Sequence, residues 1–202
     1  MSEPSFPTVP ADRLREGGWE LTDESVETVF ELPTASVTGA TELYDDVRTR
    51  EAAQSAADVD QQWRFFFGTA LTFRPALAPG IGPAMILPTV RSEAYSEFAD
   101  ELRNRGFENV ERGRRERVRT DSGDRARLRS YTASLALDDA GTTLPITGWV
   151  GVWHGEGVRI AAGADPNDPV AEILGIEDPD EPLQRGPRDY REELLGLIRA
   201  VE

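Results

Sequence analysis

The chain has 202 residues, 22 basic and 37 acidic, with a formal net charge of -15. Every basic residue is an arginine, lysine and cysteine are absent, and His154 is the only histidine. That inventory excludes a Walker A or kinase ATP lysine, Schiff-base chemistry, thiol nucleophiles, thiolate zinc sites, cysteine-held iron–sulfur clusters and, within one chain, histidine-rich zinc or iron centres.

In chain order, Ala11 to Glu16 predicts a turn of helix stopped by Gly17 and Gly18 before Trp19. Ser25 to Leu32 and Ser36 to Val47 mix β-branched and aromatic residues with acids, and read as two antiparallel strands. Arg48 to Asp60 reads either as a strand end running into a short helix or as a mobile loop. Trp63 to Arg74 has Phe65, Phe67, Leu71 and Phe73 on one face and Phe66 and Ala70 on the other, the pattern of a central strand covered on both sides. The prolines and glycines from Pro75 to Pro88 then predict an irregular connection. Gly80 and Gly82 belong to that loop, because the prolines around them do not allow a dinucleotide fingerprint. Ser92 is the expected cap of a helix that buries Tyr95, Phe98, Ala99 and Leu102 and ends at Gly106.

Glu108 to Thr120 and Arg125 to Leu137 predict a hairpin turning at Asp121 to Asp124, and Ile146 to Trp153 and Val158 to Ala162 predict a second. Pro169 behind Asp168 marks a short helix ending at Gly175. The stretch 165–187 reads as a Pro-rich linker to a closing helix with the stripe Tyr190, Leu194, Leu197, Ile198 and Val201. Residues 1–10 read as a flexible N-terminus. The expectation is one domain of the α+β class, a single antiparallel β-sheet with helices packed on one face.

Apolar residues make up 39% of the chain, enough for a core, and no apolar run reaches the length of a membrane span. No secretory signal is visible, so the setting read from the sequence is cytoplasmic, with no membrane partner. The acidic excess suits molar salt, where charges are screened over roughly 3 Å. Arg, whose planar fork pairs two carboxylate oxygens, fits the same habit better than Lys.

Paired carboxylates are the catalytic device left open. Asp45 with Asp46, or Glu24 with Glu27, could hold a hard cation or act as acid and base. A chain this acidic produces such pairs by density alone. Asp165, Asn167 and Asp168 lack the Gly and distal Glu of a calcium loop. His154 reads as a turn residue. No catalytic residue, metal site or cofactor is expected.

The charge anomaly is Arg112 to Arg129, where eight arginines face only Glu116, Asp121 and Asp124. Arg115, Arg117 and Arg119 fall on one face of their strand, with Arg125, Arg127 and Arg129 alternating on its partner. Three readings compete. The arginines could form internal ion pairs with Glu27, Glu31 and Glu42, dock an acidic protein, or bind nucleic acid. The last is disfavoured, because about six phosphate contacts would lose roughly five decades of affinity over a tenfold rise in salt. Nearby aromatic residues for base stacking are also scarce.

Val9-Pro10, Gly18-Trp19, Arg105-Gly106-Phe107, the basic hairpin, Gly148 to Trp153 and Ala162 to Pro166 together resemble uncharacterised haloarchaeal domain families, and the element order is similar to the PsbP-like α+β sandwich. The resemblance implies a non-enzymatic accessory or binding module. The expected partner is an acidic protein, met by Arg115, Arg117, Arg119, Arg125, Arg127 and Arg129 with Trp149 and Trp153. The alternative is a small-ligand-binding domain or carboxylate-dependent hydrolase with a pocket near Pro79 to Pro88.

Overall fold

The computed structural model describes residues 5–32, 35–74 and 82–202. Seven strands, β1 (Trp19–Leu32), β2 (Ala35–Asp46), β3 (Phe65–Arg74), β4 (Glu108–Arg119), β5 (Arg125–Leu137), β6 (Thr142–His154) and β7 (Val158–Pro166), form one sheet in the order β1-β2-β3-β7-β6-β5-β4. Every neighbouring pair is antiparallel. The α+β class with a single antiparallel sheet is as read from the sequence.

The helices divide between both faces of that sheet, where the sequence had placed them on one. Helix α3 (Pro83–Asn104) lies over β4 to β7 on one side, burying Val90, Ala94, Phe98 and Leu102. Helix α6 (Pro187–Ala200) lies over β7 and β3 on the other, burying Leu194, Leu197 and Ile198. Strand alternation produces both cores at once, since Phe65 points into the α3 side and Phe66 into the α6 side. Two glycines bring the layers together. A Cβ on Gly148 would sit 2.8 Å from Phe98 Cε1, and one on Gly163 would sit 2.6 Å from Leu194 Cδ1.

Helix α1 (Ala11–Gly17) ends at Gly18 with φ 77°, as the sequence indicates. Arg48 to Asp60, left open between helix and loop, contains most of α2 (Val47–Ala57), capped by Asp46, which accepts from the Thr49 amide at 3.0 Å. Helix α3 starts at Pro83, nine residues before the expected Ser92 cap. Pro83 suits a first helical position, and Pro88 lies inside the helix, where it lacks an N–H to donate and its ring crowds the carbonyl one turn earlier. The rest of the expected loop, residues 75–81 with Gly80, lies outside the described residues. The helix closes as expected, with Gly106 at φ 88° and the Phe107 amide on Leu102 O at 3.0 Å.

The stretch 165–187, read as a linker, holds α4 (Val170–Leu174) and α5 (Glu181–Gln184), with Val170 and Leu183 fully buried. Helix α4 is capped at Pro169, one residue later than expected. Of the N-terminal stretch read as flexible, residues 1–4 lie outside the described residues. Thr8 exchanges two backbone hydrogen bonds with Glu202, at 2.8 and 3.0 Å. Among the described residues no helix is long and apolar enough to cross a membrane.

Arg64, immediately before β3, is fully buried and gathers these parts. Its Nε donates to Asp165 Oδ1 at 2.8 Å, and its Nη1 donates to Asp46 Oδ2 at 2.8 Å and Glu193 Oε1 at 3.3 Å. The guanidinium lies between the rings of Trp19 and Tyr190, 4.7 and 4.4 Å from their centroids. Burial alone would lower its pKa, and the three carboxylates outweigh that and hold it above its ordinary value. Burial pushes Asp165 up. For Glu193 the same burial is outweighed by Arg64, Arg185 and the Trp19 N–H, leaving its carboxyl below the usual range.

Two predictions follow from this cluster. Arg64→Met leaves buried carboxylates without their cation and is expected to cost about 3–5 kcal/mol in urea or thermal unfolding; a loss below 1 kcal/mol would contradict it. Because the folded pKa of Glu193 is depressed, its stabilisation is in place above the ordinary value of 4.5 and is lost as pH falls through the folded value. Glu193→Gln is therefore expected to lower stability at neutral pH and flatten the loss below pH 4.5. A parent-like acid limb in the variant would show that another group controls it.

Candidate functional site

Strand β4 is an edge of the sheet, and its pairing with β5 sets arginine directly opposite arginine at three rungs, Arg115 with Arg129, Arg117 with Arg127 and Arg119 with Arg125. The rungs recur every two residues, about 7 Å apart along the strand. All six project on the α3 side. Arg129 stacks 5.8 Å from the Tyr95 ring of α3, while the intervening Ala126 and Leu128 are buried in the α6-side core. Like charges placed directly opposite cost stability, so packing does not explain this arrangement.

The ion-pair reading named Glu27, Glu31 and Glu42 as partners. Those residues lie on β1 and β2, at the other edge of the sheet, with four strands between β2 and β4. The local acids are committed elsewhere. Glu116 points to the α6 side, where it accepts from Arg191 at 2.8 Å and pairs with Arg114 at 3.0 Å. Asp121 pairs with Arg13 at 2.7 Å. Among the described residues, none of Arg112, Arg115, Arg117, Arg119, Arg125, Arg127 and Arg129 has a carboxylate within 4.0 Å. Arg119 and Arg129 donate instead to the backbone carbonyls of Gly123 and Gly113.

Helix α3 adds an eighth arginine. Arg91, Ser92 and Tyr95 form one wall of a cleft of about 610 Å³ whose other wall is the arginine face, with Pro88 at its rim. The Tyr95 hydroxyl donates to Arg127 O at 2.9 Å and the Tyr131 hydroxyl to Tyr95 O at 2.7 Å, which fixes the helix against the strands. The Nε atoms of Arg91 and Arg129 are buried with no hydrogen-bond partner. Burial, reinforced by the neighbouring Arg127 charge, holds Arg91 below the usual arginine range. Glu116 is the only acid lining this cleft, and its carboxylate is turned to the α6 side, so the charge facing the cleft is arginine alone among the described residues.

The tryptophans are not part of it. Trp149 and Trp153, read as companions of the arginines, are each 1% exposed and belong to the core under α6. Trp149 is flanked by Arg114 and Arg191, each 5.2 Å from its ring, on the face away from the cleft. Successive residues on a strand face opposite ways, so the parity that turns the six arginines outward places these two rings inside. Sequence reasoning missed Arg91 and Tyr95 as site residues. Tyr95 was assigned to the helix stripe, and no local signal places α3 over β4 and β5.

The other candidates resolve into structural roles. Asp45 bonds Arg50 at 2.9 Å and Asp46 bonds Arg64, while Glu24 and Glu27 face opposite sides of β1, opposite Glu42 and Gly39. Asp165 is held by Arg64, and Asn167 accepts from the Thr147 hydroxyl at 2.6 Å. His154 is exposed at its turn. Among the described residues, no cluster of three or more His, Asp or Glu is placed to hold a metal ion.

A two-sided antiparallel α+β domain with an arginine cleft at one sheet edge is the class these observations define. The chain belongs to the family described as a domain of unknown function (DUF6517), which matches residues 6–202. No curated protein and no solved structure matches it.

The like-charge rungs generate a direct prediction. Arg117→Glu converts the Arg117–Arg127 repulsion into an attraction and is expected to raise stability by about 0.2–1 kcal/mol in dilute buffer, with the gain fading at molar salt. A clear destabilisation would mean that Arg117 has a stabilising partner.

Proposed function

We propose that this domain is a non-catalytic interaction or accessory module that docks an acidic protein on the arginine face of β4 and β5. The observation carrying the reading is that face itself: six arginines opposite one another in three rungs on one side of a hairpin, joined by Arg112, none with a carboxylate within 4.0 Å among the described residues, and completed by Arg91 across the cleft. A protein tolerates such repulsion where a ligand relieves it. Arginine offers bidentate geometry to carboxylates, and each contact is made at short range, where it survives salt better than long-range attraction does. Nucleic acid fits less well, for the salt dependence already given.

A cytoplasmic setting in a salt-adapted archaeon and a PsbP-like accessory role belong to the same proposal. The acidic excess and the all-arginine basic set support the first, and the antiparallel α+β layout supports the second. In such a cell most neighbouring proteins are acidic, so selectivity rests on the spacing of the rungs.

The test is binding of a fluorescent oligoglutamate peptide, alongside a crosslinked pull-down from host lysate at molar KCl. Combined Arg115→Glu, Arg117→Glu and Arg127→Glu is expected to weaken peptide binding about threefold to 150-fold, at roughly 0.2–1 kcal/mol for each of the three lost contacts, with unfolding midpoints unchanged or raised. Equal binding by parent and variant would refute the docking face.

A further inference from the structure

The two edges of the sheet carry opposite charge on the same side. At one edge, Arg115, Arg117 and Arg119 of β4 project on the α3 side. At the other, Glu20, Asp23 and Glu27 of β1 project on that side too, because they stand opposite Asp45, Leu43 and Gly39, and Leu43 packs in the α3-side core. Glu20, Asp23 and Glu27 are exposed. The acidic edge continues onto the flank of α3, where Glu97 and Glu101 line a cavity of about 290 Å³ with Glu27. Helix α3 thus separates a basic cleft from an acidic one.

Both edges also hold an uninterrupted run of similar length. The β4 ladder is irregular up to Arg115 and regular from Arg115 to Arg119, and the β1 ladder is regular from Asp23 to Thr28 between its two irregularities. Each run is about the length of an ordinary strand. Among the described residues, neither edge has a strand on its outer side, so the outward N–H and C=O groups of both remain open to pairing.

We propose that β1 of one copy adds to β4 of a second, continuing the sheet head to tail. The proposal rests on the arginine face being a docking surface and identifies a second copy of this chain as an acidic partner. Geometry narrows it further. Six antiparallel steps separate β1 from β4, so the two strands run in the same direction. Sheets continued with their α3 sides aligned therefore pair β1 with β4 in parallel, and bring carboxylates against arginines. The antiparallel alternatives on that side pair β1 with β1 or β4 with β4, which sets like charges opposite and disfavours them. The contact is heterologous, so it produces open chains or closed rings.

The experiment is sedimentation velocity over a range of protein concentrations, from dilute buffer to molar KCl. The parent is expected to rise with concentration from the monomer mass of 22.3 kDa. Two single-edge variants, Arg115→Glu with Arg117→Glu, and Asp23→Arg with Glu27→Arg, are each expected to remain monomeric. Mixed one to one, they are expected to associate again, since each then offers the edge the other lacks. A parent that stays monomeric throughout, single-edge variants that associate like the parent, or a mixture that stays monomeric would each overturn the proposal. A monomeric parent that still binds oligoglutamate would overturn this inference alone and leave the docking face standing.

Discussion

The architecture depends on one buried cation. Arg64 joins the end of β2 through Asp46, the end of β7 through Asp165, and helix α6 through Glu193, while stacking against the Trp19 ring at the start of β1 and the Tyr190 ring of α6. Removing a guanidinium from water costs several kcal/mol, and only well-placed hydrogen bonds return it. Here Nε and Nη1 meet three acids from three separate elements and two aromatic rings stack on the guanidinium, while Nη2 is buried without a hydrogen-bond partner. The arrangement works only when all five elements are in register. It therefore specifies how α6 and the start of β1 sit on the sheet more sharply than apolar contact alone would.

The two clusters of arginine in this protein obey opposite electrostatics. Arg64 has an excess of carboxylate around it and is internal. The arginines of β4 and β5 have almost none, and all but the half-buried Arg129 are exposed, because a surface strand can keep unpaired guanidinium groups hydrated. Helix α3 alters that balance locally. Where it packs on the strands, the Nε atoms of its own Arg91 and of Arg129 beneath it are buried without acceptors. The cleft is the place where hydration is reduced and charge is uncompensated together, which is the condition under which an incoming anion gains most.

Much of the element order could be read from residue patterns. The alternation of Phe65, Phe66 and Phe67 marked β3 as covered on both sides, and the stripe from Tyr190 to Val201 marked α6, because both signals are local periodicities of apolar residues. The start of α3 was not legible, since Pro88 resembles a helix boundary and only the surrounding packing shows that the helix continues through it. Arg64 carried no signal either. A buried arginine and an exposed one look alike in sequence, and its partners Asp165 and Glu193 lie 101 and 129 positions away.

The sequence by itself determined the chemistry that is closed to this chain and the concentration of arginine between Arg112 and Arg129, because both follow from composition and from strand alternation. Tertiary structure alone decided what those arginines face. Strand order placed Glu27, Glu31 and Glu42 at the far edge, β-strand parity turned Glu116, Trp149 and Trp153 toward α6, and the seating of α3 made an open strand face into a cleft. Each of these depends on contacts between residues distant in the chain, which no local pattern of side chains encodes.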